Sequence, residues 1–408
     1  MSRRSSYGYN SGRGYQSRSG GYQYGEYKRK RRRTQITAAA ATVITVILLL
    51  IIAKFTISLI HSADTIQTTS QPSAASGVSA ESVPQHTDTS ESSEESSAAE
   101  VSVQSTPGYY DNGIYIWNRQ GFEMFYGTNS SAKEYAEIIS EIKRQLGSEV
   151  SVYNLVAPTN TAVTLPAKYQ EGSDQRRNIS TIYSSYTADV IPVDVFDAEA
   201  AHRGEYTYFR TDTNWTADGA YYAYEVFCKA AGIDCVPRDK LNRGEITGFE
   251  GTLITATESS EHPDGNKELL DSTDTVVYYQ PTIGHLCTLL ENGCDEEKQV
   301  PLIATFAQGR YAYSAFLWGD NPYMKIKTTN KSGRKLCIIK DTYGNAFAPY
   351  TVTAFDEIFI VDPRYYEGSV IDFIKDNGYT DVLVINSVAN ANTDVRAYEI
   401  QTIINETE

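Results

Sequence analysis

An α/β domain with a mostly parallel, helix-covered sheet is predicted for residues 108–408 by two observations. Short apolar runs alternate with stretches of helical periodicity, and a buried-looking strand runs into a turn and helix at Asp341-Thr342-Tyr343-Gly344-Asn345. Taken in order, residues 132–142 place apolar side chains at helical spacing and lead into a strand over 150–155. A helix over about 176–185 precedes the strand Val190-Ile191-Pro192-Val193, and a further helix covers 216–231. Strands at 336–339, 358–361 and 382–385 then alternate with helical segments at 344–355 and 369–377. Between about 244 and 330 the chain turns to short Thr-, Tyr- and Val-rich pieces with Gly and Pro turns. This predicts a β-rich insertion, a candidate lid or substrate rim.

The first 107 residues cannot supply a core. Residues 1–34 are rich in Tyr, Gly, Ser and Arg, carry a net charge of +9 and contain almost no aliphatic side chains, so they are expected to be disordered. Residues 35–60 form a mostly apolar run with one charge, Lys54. The 25 residues from Ile36 would span about 37 Å as a helix, enough for a hydrocarbon core of about 30 Å. The basic flank precedes this run, which predicts a cytoplasmic N-terminus and an extracellular C-terminal domain. A cleaved signal peptide is the competing reading, but its apolar region is usually shorter. The tail itself reads as an orientation signal, ahead of a site for a cytoplasmic partner or nucleic acid. Residues 61–107 hold seven acids and no Lys or Arg, a self-repelling Ser/Thr/Glu-rich tether. With the tail and Lys54 set aside, residues 61–408 carry −25 of the chain's −15 total. That balance disfavours nucleic acid or uronate polymers as tight ligands of the outer surface, and leaves neutral or cationic glycans open.

All five cysteines lie in the predicted outer domain. Cys287 and Cys294 flank an Asn-Gly turn signal, and Cys228 and Cys235 repeat the same seven-residue gap. Both pairs are disulfide candidates outside the cytoplasm, with three connectivities open to four cysteines. Cys337 reads as a buried small hydrophobe. No ligand spacing suggests a metal, and no cofactor is expected.

The candidate site joins two stretches. Arg210-Thr211-Asp212-Thr213-Asn214-Trp215 follows the aromatic run Tyr206-Thr207-Tyr208-Phe209. Alone, Asp212 reads as a helix cap and Trp215 as core. Ligands of a parallel sheet gather at the carboxyl ends of its strands, where Thr342 falls. Candidate groove residues are therefore Asp212, Asn214, Trp215, Thr342, Tyr343, Asn345 and Arg364, with Asn386 at the end of the last strand. Arg364 has two readings, a cation for a polar substrate group or a surface arginine paired with Asp362. Tyr206, Tyr208, Tyr221, Tyr222, Tyr224, Tyr365 and Tyr366 suit sugar stacking, although those on the helix read mostly as core.

With Asp212, Trp215 and Asp341-Thr342 in this order, the chain resembles the DHHW family, close in pattern to the SGNH-hydrolase-like domains of the alginate O-acetylation type. Gly113-Ile114-Tyr115-Ile116, residues 152–158, Gly251-Thr252-Leu253 and residues 361–366 also fit, so the resemblance covers about 108–408. It implies a three-layer α/β/α domain and an ancestral role in O-acetylation or deacetylation of surface glycans. In that family the motif reads Asp, any residue, His, Trp, and the His activates a distant Ser. Here Asn214 stands at the His position and Thr342 at the Ser position. An amide has no basic nitrogen, and the threonine methyl crowds attack. Among the other histidines, His61 and His86 lie in the tether and His262 and His285 in the insertion, leaving His202 as the best substitute by proximity.

The resemblance therefore points to a single-pass cell-surface protein with a degenerate triad (Asp212, Asn214, Thr342) that binds an envelope polysaccharide or an assembly partner. Trp215, Tyr343, Asn345 and Arg364 are its expected substrate contacts. An active O-acetyltransferase or acetylesterase using Thr342 with a displaced base is the runner-up, and a structural surface adaptor is the third class. Topology gives the first testable outcome. Protease added to intact cells is expected to cut the 61–107 tether and release a soluble domain of about 300 residues. Protection until lysis would reverse the assigned orientation.

Overall fold

The computed structural model describes residues 107–405. The basic tail, the expected membrane helix at 35–60 and the tether up to 106 lie outside the described residues. Among the described residues no helix is long and apolar enough to cross a membrane.

Thirteen strands are described. β1 (Tyr109–Asp111), β2 (Ile114–Trp117) and β3 (Gln120–Phe122) make a small antiparallel meander. Its two turns, Asn112-Gly113 and Asn118-Arg119, hold all four central residues at positive φ, the pattern that matches a two-residue turn to the strand twist. The remaining strands are β4 (Ser151–Ala157), β5 (Ile191–Val193), β6 (Asn242–Phe249), β7 (Asp274–Gln280), β8 (His285–Leu290), β9 (Glu297–Val300), β10 (Tyr323–Thr328), β11 (Lys335–Lys340), β12 (Glu357–Val361) and β13 (Asp381–Ser387). Eight of them form one sheet in the order β5-β4-β13-β11-β12-β10-β8-β9. The pairings from β5 to β12 are parallel and the rest antiparallel.

Six longer helices are α1 (Asn129–Leu146), α2 (Gln175–Ser184), α3 (Ala217–Ala231), α4 (Tyr343–Thr351), α5 (Val370–Asp376) and α6 (Asp394–Ile404). Their starts follow local chemistry. Thr128, Asp174, Thr216, Ser369 and Thr393 each accept a backbone N–H in the first turn of α1, α2, α3, α5 and α6. Strand alternation then divides the central sheet between two cores. Leu336, Ile338, Ile358, Ile360, Leu383 and Ile385 pack with α3 and α4 on one face. Cys337, Ile339, Phe359, Val361, Val382 and Val384 pack with α1, α2, α5 and α6 on the other. The predicted strands and helices are present, in three layers.

The 244–330 region is β-rich, as expected, but much of it is not a separate lid. β8, β9 and β10 extend the main sheet beyond β12, and only the β6–β7 pair forms its own ribbon.

Neither candidate bridge is formed in this structure, where all five thiols are free. The β8–β9 connection spans 291–296, longer than a two-residue Asn-Gly hairpin, so Cys287 faces Val300 across the ladder while Cys294 is exposed in the turn. Cys228 is buried in the last turn of α3, and Cys235, past the left-handed cap at Gly232, brings its thiol within hydrogen-bond reach of that of Cys228. Burial pushes the Cys287 thiol up to about 12 and raises that of the wholly buried Cys337 as well.

One buried acid works against the core. Glu199, in the short helix Phe196–Ala201, is fully enclosed and neither carboxyl oxygen has a hydrogen-bond partner. Burial alone raises its carboxyl well above the ordinary value. The folded protein therefore holds this proton to higher pH than the unfolded chain, which releases it near the usual carboxylate pKa. The group's contribution is complete below that pKa and falls as pH rises toward the folded value. Glu199→Met is expected to raise Tm at pH 8, at about 2–4 °C per kcal/mol recovered for a domain of this size. The gain should shrink toward pH 4, and an equal change at both pH values in thermal melts would refute the protonated-carboxyl assignment.

Candidate active site

β11 ends at Lys340 and the chain turns at Asp341 into α4, with Thr342 as the half-buried residue capping the helix. The turn needs Gly344, because a Cβ there would lie 2.5 Å from that of Lys340. The wholly buried Asp341 locks this geometry. Its Oδ1 accepts the Tyr343 N–H at 3.0 Å, and its Oδ2 accepts the Ser387 N–H at 2.8 Å and Asn390 Nδ2 at 2.7 Å. The N–H groups at the helix start, the kind that hold an oxyanion in acyl transfer, are engaged internally. Tyr343 N donates to Asp341 Oδ1, Gly344 N to Asp341 O and Asn345 N to Thr342 O.

The Asp212 loop folds back on itself between residues 207 and 216. Tyr208 bridges Trp215, and Thr216 N donates to Thr207 O at 2.9 Å. Asp274, at the start of β7, pins the entry by accepting Arg210 N at 3.0 Å, Thr211 N at 2.8 Å and Thr211 Oγ1 at 2.6 Å. Gly251 crosses close by, and a Cβ on it would meet Thr211 O at 2.2 Å. This approach lets Thr252 donate its N–H and hydroxyl to Asp212 Oδ2, both at 2.9 Å. Asp212 Oδ1 accepts the Asn214 N–H at 2.9 Å and Asn214 Nδ2 at 2.7 Å. Four donors thus saturate the carboxylate.

These bonds fix the Asn214 amide. With Nδ2 turned to Asp212, its carbonyl oxygen Oδ1 points away and is buried without a partner. The side chain imitates the half of a histidine that bonds the orienting acid. Its other end offers an acceptor, but one with no capacity to hold a proton.

Trp215 and Tyr343 join the two stretches. The Trp215 indole N–H donates to Tyr343 O at 2.9 Å, the Tyr343 hydroxyl donates to Thr213 O at 2.6 Å, and the rings pack 5.0 Å apart. At the end of β11, and bonded to Asn345 of α4, lies a charged cluster. Lys340 Nζ donates to Asp320 Oδ1 at 3.0 Å and Asp362 Oδ2 at 2.9 Å. Arg364 bonds both Asp362 oxygens and reaches Asp320 at 2.9 Å. Burial acts to raise the Asp362 carboxyl, but Lys340 and Arg364 outweigh it and hold it well below the usual range.

The predicted site residues therefore come together in different roles. Asp212, Asn214 and the Asp341-Thr342 turn are brought together through the Trp215–Tyr343 contact. Trp215, Tyr343 and Asn345 are buried and bonded to protein, so they position the site rather than offer a substrate surface. Arg364 takes the paired reading, with Asp320 added to Asp362. Asn386 is buried and donates to Tyr135. Tyr208, Tyr221, Tyr222, Tyr224 and Tyr366 are buried, which removes them as stacking surfaces. His202 bonds Glu205 at 2.7 Å and stacks on Tyr222, with no described bond to Thr342. Sequence reasoning missed Thr252, Asp274, Asn390, Lys340 and Asp320. Only the Gly251-Thr252-Leu253 pattern signalled one of them.

A groove of about 530 Å³ opens beside the loop, with Tyr110, Glu123, Tyr126, Asn160, Thr213 and Ala389 among its walls. Glu123 reaches solvent, yet burial in the wall and the Asp212 charge raise its carboxyl above the usual range. A second depression of about 330 Å³, near Asp174 and Arg176, shares only Phe125 with this groove.

No curated protein matches the chain. Among solved structures it is similar to a DHHW family protein from Eubacterium siraeum DSM 15702. That likeness has 33% identity and a TM-score of 0.66, covering 74% of this chain and 99% of that one. Bacillus cereus PatB1, solved with a sulfonyl adduct, is similar at 19% identity and a TM-score of 0.56, over 69% of this chain and 96% of that one. The O-acetyltransferase domain of Pseudomonas putida AlgJ is similar at 13% identity and a TM-score of 0.43, over 71% and 98%. The family model for the DHHW protein matches residues 81–361. On the 33% identity to the Eubacterium siraeum protein over nearly all of that chain and on this family match, the chain belongs to the DHHW family.

Proposed function

We propose that this protein is a membrane-anchored surface member of the DHHW family whose outer domain binds an envelope polysaccharide without turning over its acyl esters. The observation that carries this reading is the Asn214 amide. It keeps the hydrogen bond to Asp212 and presents only a carbonyl oxygen where a base would be needed. Engagement of the three helix-start N–H groups supports it, because an oxyanion would have to displace existing partners. The apolar run at 36–60 behind a basic flank supports the anchor.

Loss of the base in a nucleophile–base–acid unit costs on the order of 10⁶ in rate, about 8 kcal/mol of barrier. The purified protein is therefore expected to show acetyl-ester turnover near background. Asn214→His combined with Thr342→Ser should exceed either single change, since nucleophile and base act as a unit. Adding Asp212→Asn should lower that activity by leaving the imidazole unoriented. Robust turnover by the unmodified protein, abolished by Thr342→Ala, would replace this reading with an active acyl-transfer enzyme.

A further inference from the structure

The groove beside the Asp212 loop contains one ionisable carboxylate and no cation. Asp212, the acid next to it, is saturated by four donors, and every oxygen of Asp341 is likewise taken. Glu123 differs, since no described residue donates to its carboxylate or pairs with its charge. Its own backbone is fixed, with Glu123 O accepting Thr161 Oγ1 at 2.6 Å, so the side chain projects from an anchored strand end. Around it stand the rings of Tyr110, 47% exposed, and Tyr126, 67% exposed. Exposed rings at a groove wall with one unmet charge form an amphipathic surface. It suits a flat, hydroxylated ring carrying a positive group.

We infer that this groove recognises a sugar unit with a free amine, a de-N-acetylated hexosamine within a polysaccharide, through an ammonium–carboxylate contact at Glu123 and stacking on Tyr126. This rests on the glycan-binding reading above and names the ligand class for that site. The strongly acidic outer region supplies long-range attraction for such a polycation and repels uronates. An N-acetylated sugar has no charge to meet the carboxylate, so Glu123 sets a preference for the amine. A charge-assisted contact of this kind is expected to change affinity about tenfold or more.

The test is calorimetric titration of the full chain with three β-1,4-linked tetramers: glucosamine, N-acetylglucosamine and a uronate. Binding should rank amine over N-acetyl by at least about tenfold, with the uronate weakest. Glu123→Gln should remove that preference while leaving N-acetyl binding in place, and Tyr126→Ala should weaken both. Both side chains reach solvent, so the folded domain is expected to survive either change, which thermal melts check. Equal binding of the two hexosamine tetramers would overturn the amine assignment and leave the glycan reading intact. Amine binding that persists unchanged in Glu123→Gln would mark diffuse surface charge and also overturn it. No binding of any tetramer would remove both readings.

Discussion

The contact of Trp215 and Thr213 with Tyr343 is the one on which the site's geometry depends. It ties a loop between the fifth strand and the third helix to a turn about 130 residues later, using two hydrogen bonds and one ring contact. The Trp215 indole spends its N–H on the Tyr343 carbonyl and the Tyr343 hydroxyl its proton on the Thr213 carbonyl, so neither ring can rotate without leaving a buried group unmet. The tryptophan of the family motif thus acts as a spacer that sets how far Asn214 stands from Thr342. Residues around it are arranged to keep that spacing rigid. Asp341 ties the turn to the end of β13, while Asp274 and Thr252 hold the loop from the insertion side.

The same hydrogen bonds hold the asparagine at the centre of the loop. The carboxylate that would orient an imidazole instead orients an amide, with its remaining lone pairs filled by Thr252. The Lys340–Asp362–Asp320–Arg364 cluster adds a second constraint at the end of β11. Buried charges of this kind stabilise little against an apolar alternative, but removing one member leaves the others unpaired. The cluster therefore holds the turn in place more than it strengthens the fold.

The parallel core was legible in the sequence because its signals are local. Leu336–Ile339 reads as a strand from its own apolar run, and α3 announces itself through Thr216 at one end and Gly232 at the other. The site was half legible. Asp212, Asn214 and Thr342 stood out by motif, yet Thr252, Asp274 and Asn390, which hold Asp212, Thr211 and Asp341, lie 40 to 63 residues from those partners with no periodic pattern to mark them. Burial was the quantity least visible in one dimension. Trp215, Tyr343 and Asn345 have the chemistry of ligand contacts, and only packing shows that their polar atoms face protein. The Cys287–Cys294 spacing misled for a related reason, since an Asn-Gly pair inside a longer connection does not set the register of the strands beside it.

The order of the main sheet also determines how this domain can meet other chains. Its two open margins are β5 and β9. β5 is three residues long and contains Pro192, which lacks an N–H, and β9 presents exposed Glu297, Lys298 and Gln299. A neighbouring chain adding itself as a strand would find one margin too short and interrupted and the other charged and hydrated. Assembly by backbone pairing is thereby discouraged at both ends, even where many copies crowd together. Association is left to side chains, which can distinguish a partner from another copy of the same domain.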